Sequence, residues 1–102
     1  MPALCFFGRV AIVSWKHKGL KVYFETGSTK GIRVYHSAKL RRILSLLDEA
    51  KHADELRLPG FSFHLLEPKK SGICAVTVNG NWRVTFRFVN ENAEIVDYLD
   101  YH

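Results

Sequence analysis

The chain has 102 residues, 47% of them hydrophobic and 25% charged, which is enough apolar surface for one core and too little length for two. Fifteen Lys and Arg against ten Asp and Glu leave a formal charge of +5, a balance that favours polyanionic partners and nucleic acid first among them. There is no run of about 18 apolar residues, so a helical membrane span is excluded, and Cys5 and Cys74 are too far apart for a C-x-x-C site, which argues against a zinc site or a disulfide framework and fits a reducing cytoplasm.

The opening "MPALCFFGRV" is apolar, but no positive charge precedes its apolar stretch and Arg9 interrupts it, which is not the layout of a signal peptide. Residues 1–10 are expected to form an N-terminal extension, as an edge strand or a loose terminus, of a single domain spanning 1–102. Alternation in "VAIVSW" predicts a first strand. In "KHKGLKVYFETG" the spacing of Leu20, Tyr23 and Phe24 predicts a helix that stops at Gly27. A second helix is predicted over "SAKLRRILSLLDEAK", where Leu40, Ile43, Leu44, Leu47 and Ala50 make one stripe and Lys39, Arg41 and Arg42 point away from it. The commoner use of such cations is a solvated helix face.

After a turn at "LPGF" the chain reads as strand. In "FSFHLLEP" Phe61, Phe63 and Leu65 alternate with Ser62, His64 and Leu66, so His64 is expected to project away from the buried side. "ICAVTV" and "NWRVTFRFV" flank Asn79 and Gly80, a pair suited to a type I′ hairpin turn because both of its central residues need positive φ. Trp82, Val84, Phe86 and Phe88 then share one face, and Arg83, Thr85 and Arg87 the other. A turn at "NEN" leads to "AEIVDYLDYH", where Val96, Tyr98, Asp100 and His102 fall on one side and Ile95, Asp97, Leu99 and Tyr101 on the opposite one. The predicted class is α+β: two N-terminal helices packed on one face of a twisted, mainly antiparallel sheet, with the other face available for a ligand.

That uncovered face is expected to collect His64, Arg83, Arg87, Asp100 and His102, with Tyr101 at its margin. Cleaving RNA without a metal requires a base near the 2′-hydroxyl, an acid near the leaving 5′-oxygen and cations for the phosphate. Histidine suits the proton transfers because its reference pKa is about 6.5, and arginine suits the phosphate through its permanently charged fork. The same residues also have plainer uses: an exposed strand histidine, arginines on a wet sheet face, an aspartate that pairs with one of them, a tyrosine that closes the core. Asp-x-His could also ligate a metal, although no matching cluster accompanies it.

The stretches "KHKGLKVYFETGS", "LPGFSFHLL", "VTVNGNWRVTFRF" and "DYLDYH" resemble the HigB branch of the RelE toxin superfamily, over about Ser14 to His102. In that branch K-H-K-G-L, H-P-L-K, N-W-R-[IL]-T-F and Y-x-D-Y-H recur in this order. The resemblance implies a RelE-like fold and the toxin of a type II toxin–antitoxin pair, an endoribonuclease that cuts mRNA in the ribosomal A site with no cofactor. It further implies a helix-turn-helix antitoxin of the HigA kind, contact with operator DNA only through that antitoxin, and no membrane association. Carried over residue by residue, His64 and His102 share the base and acid work, Arg83 stabilises the phosphate, Asp100 orients or charges His102, and Tyr101 stacks on or positions a base. Lys39, Arg42, Lys69, Lys70 and Arg87 are the accompanying RNA-binding cations. The chain departs from the pattern where "HLLE" replaces H-P-L-K, putting Glu67 in the place of a phosphate-facing lysine. Cys74 likewise stands where a tryptophan is common. The alternative that follows is a family member weak in cleavage that acts as an antitoxin- or ribosome-binding protein.

Overall fold

A computed structural model of the protein describes residues 12–65 and 72–100. The first helix, α1, spans Lys18–Thr26 and is capped by His17, whose backbone is extended and whose Nδ1 accepts the Leu20 N–H at 2.9 Å. A side-chain acceptor at this position satisfies one of the amide donors that the first turn leaves without a partner. The helix ends at the predicted glycine: Gly27 takes φ 82°, and its N–H returns to the Tyr23 carbonyl at 2.8 Å. A 3-10 turn, Val34–His36, leads into α2, Ser37–Glu49. The predicted stripe of Leu40, Ile43, Leu44, Leu47 and Ala50 is buried throughout. The Tyr23 hydroxyl donates to the Ser37 carbonyl at 2.7 Å and so fastens the two helices together.

Four strands follow: β1 His64–Leu65, β2 Cys74–Asn79, β3 Trp82–Val89 and β4 Asn92–Asp100, in spatial order β1-β2-β3-β4 with every neighbour antiparallel. The helical stripe joins Val76, Val84, Phe86, Val96 and Tyr98 in one core. This is the expected α+β arrangement. Truncating one such core leucine to alanine typically costs about 2–5 kcal/mol, a large part of the stability of a domain this size.

Three local expectations change. Among the described residues of "VAIVSW" the predicted first strand is reduced to isolated parallel bridges, from Ile12 to Ala93 and from Trp15 to Val96. Ser14 explains the docking, since its hydroxyl accepts the Ile95 N–H at 2.8 Å and its carbonyl the Val96 N–H at 3.2 Å, beside a bulge where Ile95 takes φ 47°. The proposed extension over residues 1–10 lies outside the described residues. Among the described residues, the strand expected over "FSFHLLEP" begins only at His64, because Ser62 takes φ 49° and breaks the alternation, leaving Leu65 exposed beside His64.

The hairpin signal is also displaced. Asn79 pairs with Trp82, so the β2–β3 loop is Gly80 and Asn81, and only Gly80 of the two takes positive φ. Two consecutive positive φ values, the type I′ pattern, occur instead at Asn90 and Glu91, between the paired Val89 and Asn92. The cause is a register shift between Thr77 and Asn79, which admits Val78 as an extra residue and moves the turn by one position.

Candidate active site

Residues directly opposite one another on antiparallel strands share a face. His64 faces Ala75, Ala75 faces Thr85, and Thr85 faces Asp97. Arg83 lies two positions from Thr85 and is therefore on this same face, as predicted. Two inter-strand spacings and two residues of rise put the His64 and Arg83 Cα atoms roughly 12 Å apart, a span that a phosphodiester and a long arginine side chain can bridge. The face is only partly open, since Ala75 and Thr85 are buried and the longer His64, Arg83 and Arg87 side chains form its accessible part.

Asp100 is not on it. Its partner across the sheet is Trp82, as Tyr98's is Val84, so the carboxylate stands on the face that meets the helices. The predicted alternation holds over Val96–Asp100, but Val96 and Tyr98 mark their side as the covered one, and Asp100 follows them. The expected gathering of Arg83 and Asp100 on one face is thus corrected by the register.

Each described candidate has a definite local setting. The His64 ring is exposed, and its Nδ1 lies 3.0 Å from the Ser62 carbonyl. A carbonyl can only accept, so Nδ1 carries the proton and Nε2 is left as the lone pair of the neutral ring. The turn at Ser62 thereby presents the nitrogen that a general base would use. The Arg83 guanidinium donates from one Nη to the carbonyls of Gly80 at 2.7 Å and Trp82 at 3.2 Å, folded onto the hairpin. Arg87 is held by Glu94, with Nε donating at 2.8 Å and Nη2 making a second contact to the same carboxylate oxygen.

Lys39 donates to the Gly60 carbonyl at 2.7 Å, and both Lys39 and Arg42 stand over the Phe61 ring, at 5.6 and 5.5 Å. Cys74 is a buried thiol whose pKa is raised, chiefly by burial, which marks a packing residue. Tyr101, His102, Lys69, Lys70 and Glu67 lie outside the described residues. No group of three or more metal-ligating side chains occurs among the described residues.

The sequence reading missed a polar network on the helix side. His36 is 2% exposed, with Nδ1 2.7 Å from the Tyr98 hydroxyl and Nε2 buried without a hydrogen-bond partner. Burial, assisted by the nearby Arg33 charge, lowers the His36 pKa, and burial raises that of Tyr98. The two residues are 62 positions apart, and no local pattern announces the pair.

Comparison with known proteins gives a consistent picture. A family model described as the RelE-like toxin of type II toxin-antitoxin system HigB matches residues 13–102. The chain is 40% identical over 91 residues to a protein named Endoribonuclease HigB from Proteus vulgaris, covering 89% of this chain and 99% of that one. It is 33% identical over 94 residues to Toxin HigB-1 of Vibrio cholerae serotype O1, covering 88% and 96%.

Proposed function

The chain belongs to the HigB-like family of RelE-like toxins of type II toxin–antitoxin systems, and we propose that it is an endoribonuclease toxin that cleaves mRNA in the ribosomal A site and is neutralised by a helix-turn-helix antitoxin. The observation that carries this reading is the His64 ring, exposed on the face of Arg83 with its tautomer set by the Ser62 carbonyl. General acid–base chemistry needs an accessible nitrogen whose proton location is defined.

In the proposed reaction a base takes the proton of the 2′-hydroxyl, the 2′-oxygen bonds to phosphorus, and the P–O5′ bond breaks as an acid protonates the leaving 5′-oxygen. The product is a 2′,3′-cyclic phosphate, which water can open to a 3′-phosphate. His64 Nε2 and His102 are assigned these two transfers, each typically worth about 10²–10⁴-fold. Arg83 would leave the Gly80 carbonyl for the phosphate, exchanging a neutral acceptor for a charged one that binds roughly twice as strongly. Asp100, from the helix-side face, is assigned to orient His102, and Tyr101 to stack on a base. Lys39 and Arg42 beside Phe61 offer a cationic surface for RNA backbone.

A second reading is favoured by the tethering of cations. Arg87 is neutralised by Glu94 and Arg83 is turned onto the hairpin, and Glu67 adds a negative charge where the H-P-L-K pattern implied by the resemblance has a lysine. On this reading the protein cleaves weakly and acts by binding its antitoxin or the ribosome.

The test is cleavage of a programmed mRNA on purified translating ribosomes by wild type, His64→Gln, His102→Ala and Glu67→Lys. A-site cutting that each histidine substitution lowers by about 10²-fold or more supports the toxin chemistry. Cutting that is indifferent to both histidines sinks the assignment, and cutting only by the Glu67→Lys form establishes the second reading.

A further inference from the structure

On the helix side of the sheet, an open pocket of about 300 Å³ is lined by His17, Lys30, Arg33, Trp82 and Tyr98 among others. None of these side chains has a part in the chemistry proposed above. The pocket owes its shape to a close crossing of backbones: a Cβ on Gly19 would lie 2.6 Å from the Gly31 carbonyl oxygen, and one on Gly31 would lie 2.6 Å from the Gly19 Cα. Glycine at both positions lets the loop carrying Lys30 and Arg33 lie directly on the first turn of α1, next to His17.

The groups so assembled are complementary to an anion and a ring. The His17 Nδ1 lone pair is occupied by the Leu20 N–H, so the neutral imidazole carries its proton on Nε2 and is a donor there. Lys30 and Arg33 add two positive charges. The Trp82 and Tyr98 rings lie 4.7 Å apart at 32°, and the Arg33 guanidinium sits 5.2 Å from the Trp82 centroid. The buried His36, whose Nε2 has no partner, packs against both rings. Donors and cations with aromatic walls describe a phosphate with an attached base, and the volume suits one nucleotide. Asp100, opposite Trp82, stands on this same face.

From this arrangement we infer that the pocket is an RNA nucleotide subsite, in which Lys30, Arg33 and the His17 Nε2–H take a backbone phosphate and the adjoining base stacks on Trp82. The inference rests on RNA being the substrate. Binding requires Arg33 to leave the ring face and give up a cation–π contact at an exposed site. A base stacked there restores the contact on the ring, and the freed guanidinium gains a charge-assisted bond to phosphate, so the exchange runs toward the bound state.

The experiment uses the full chain carrying Trp15→Phe, which leaves Trp82 as the fluorescent tryptophan. It is titrated with a 2′-O-methyl RNA trinucleotide, which cannot be cleaved, and separately with 5′-AMP. The subsite predicts saturable quenching by the trinucleotide and at least about tenfold weaker binding in Lys30→Ala/Arg33→Ala. The logarithmic salt slope should become shallower by about 1.4 for the two lost phosphate contacts. Lys51→Ala, an exposed cation elsewhere, serves as the charge control and should leave quenching unchanged. Should the double variant fold poorly, Lys30→Glu alone provides the same comparison. No quenching, quenching indifferent to these substitutions, or equally tight quenching by 5′-AMP overturns the RNA subsite. Cleavage on ribosomes that depends on His102, without trinucleotide quenching, removes the subsite alone; quenching without any cleavage removes the catalytic reading and leaves the subsite.

Discussion

Trp82 and Asp100 stand directly opposite each other across β3 and β4, so the carboxylate shares the helix-side face with the tryptophan, while Arg83, one residue along, faces the other way. Among the described residues the candidate catalytic groups are therefore split, His64 and Arg83 on one face and Asp100 on the other. Chemistry that uses both must engage RNA at the rim of the sheet rather than across one flat surface.

The Arg87–Glu94 pair predicts a poor RNA ligand that one substitution can release. Arg87→Ala should change affinity for single-stranded RNA less than threefold, since its charge is already compensated. Glu94→Gln should free the guanidinium, tighten binding at low salt and steepen the logarithmic salt dependence by about 0.7. Filter binding between about 50 and 200 mM salt measures both; equal slopes for wild type and Glu94→Gln would contradict the pairing.

The Asn90–Glu91 turn carries removable strain. Glu91 takes φ 71°, a conformation that disfavours a residue with a Cβ by roughly 1–2 kcal/mol, part of which glycine gives back as unfolded-state entropy. Glu91→Gly should stabilise the fold by about 0.5–1 kcal/mol, raising Tm by a few degrees. Thermal unfolding followed by circular dichroism decides it, and a lower Tm would mean that Glu91 makes a compensating contact.

Gly19 presents the opposite case. Alanine is favoured over glycine inside a helix by about 1 kcal/mol. Here, however, the added methyl would stand 2.6 Å from the Gly31 backbone. The clash is with main chain, which cannot swing aside, so Gly19→Ala should destabilise by roughly 1–3 kcal/mol in spite of propensity. The urea midpoint of Gly19→Ala against wild type measures this, and an unchanged midpoint would show that the loop yields.

His36 makes stability depend on pH. Its folded pKa lies below the ordinary value of about 6.5, so the neutral ring is favoured by the native state. Above about 6.5 both states are neutral; as pH falls below it, the unfolded chain takes up a proton that the folded protein resists, and stability declines until the folded pKa is passed. His36→Phe should flatten this part of the profile, measured as urea midpoints from about pH 6.5 downward. A profile that keeps its slope in the variant would assign the effect to other groups.

Much of this protein was readable locally. Gly27 as the end of α1, the five-residue stripe of α2, and the sorting of Trp82, Val84 and Phe86 from Arg83 and Arg87 all follow from backbone periods of 3.6 and 2, which neighbouring residues set for themselves. The exposure of His64 was legible for the same reason, although its tautomer depended on a turn at Ser62 that the alternation did not reveal. What the sequence left open was everything decided by register and long-range closure. One extra residue at Val78 moved the hairpin turn, and strand pairing placed Asp100 with Trp82. Pairings as distant as Arg33 over Trp82 and His36 on Tyr98 arise when the loop after α1 is folded back onto the sheet. A period assigns a residue to one of two sides, but only the packed molecule determines which side the helices cover and which groups meet there.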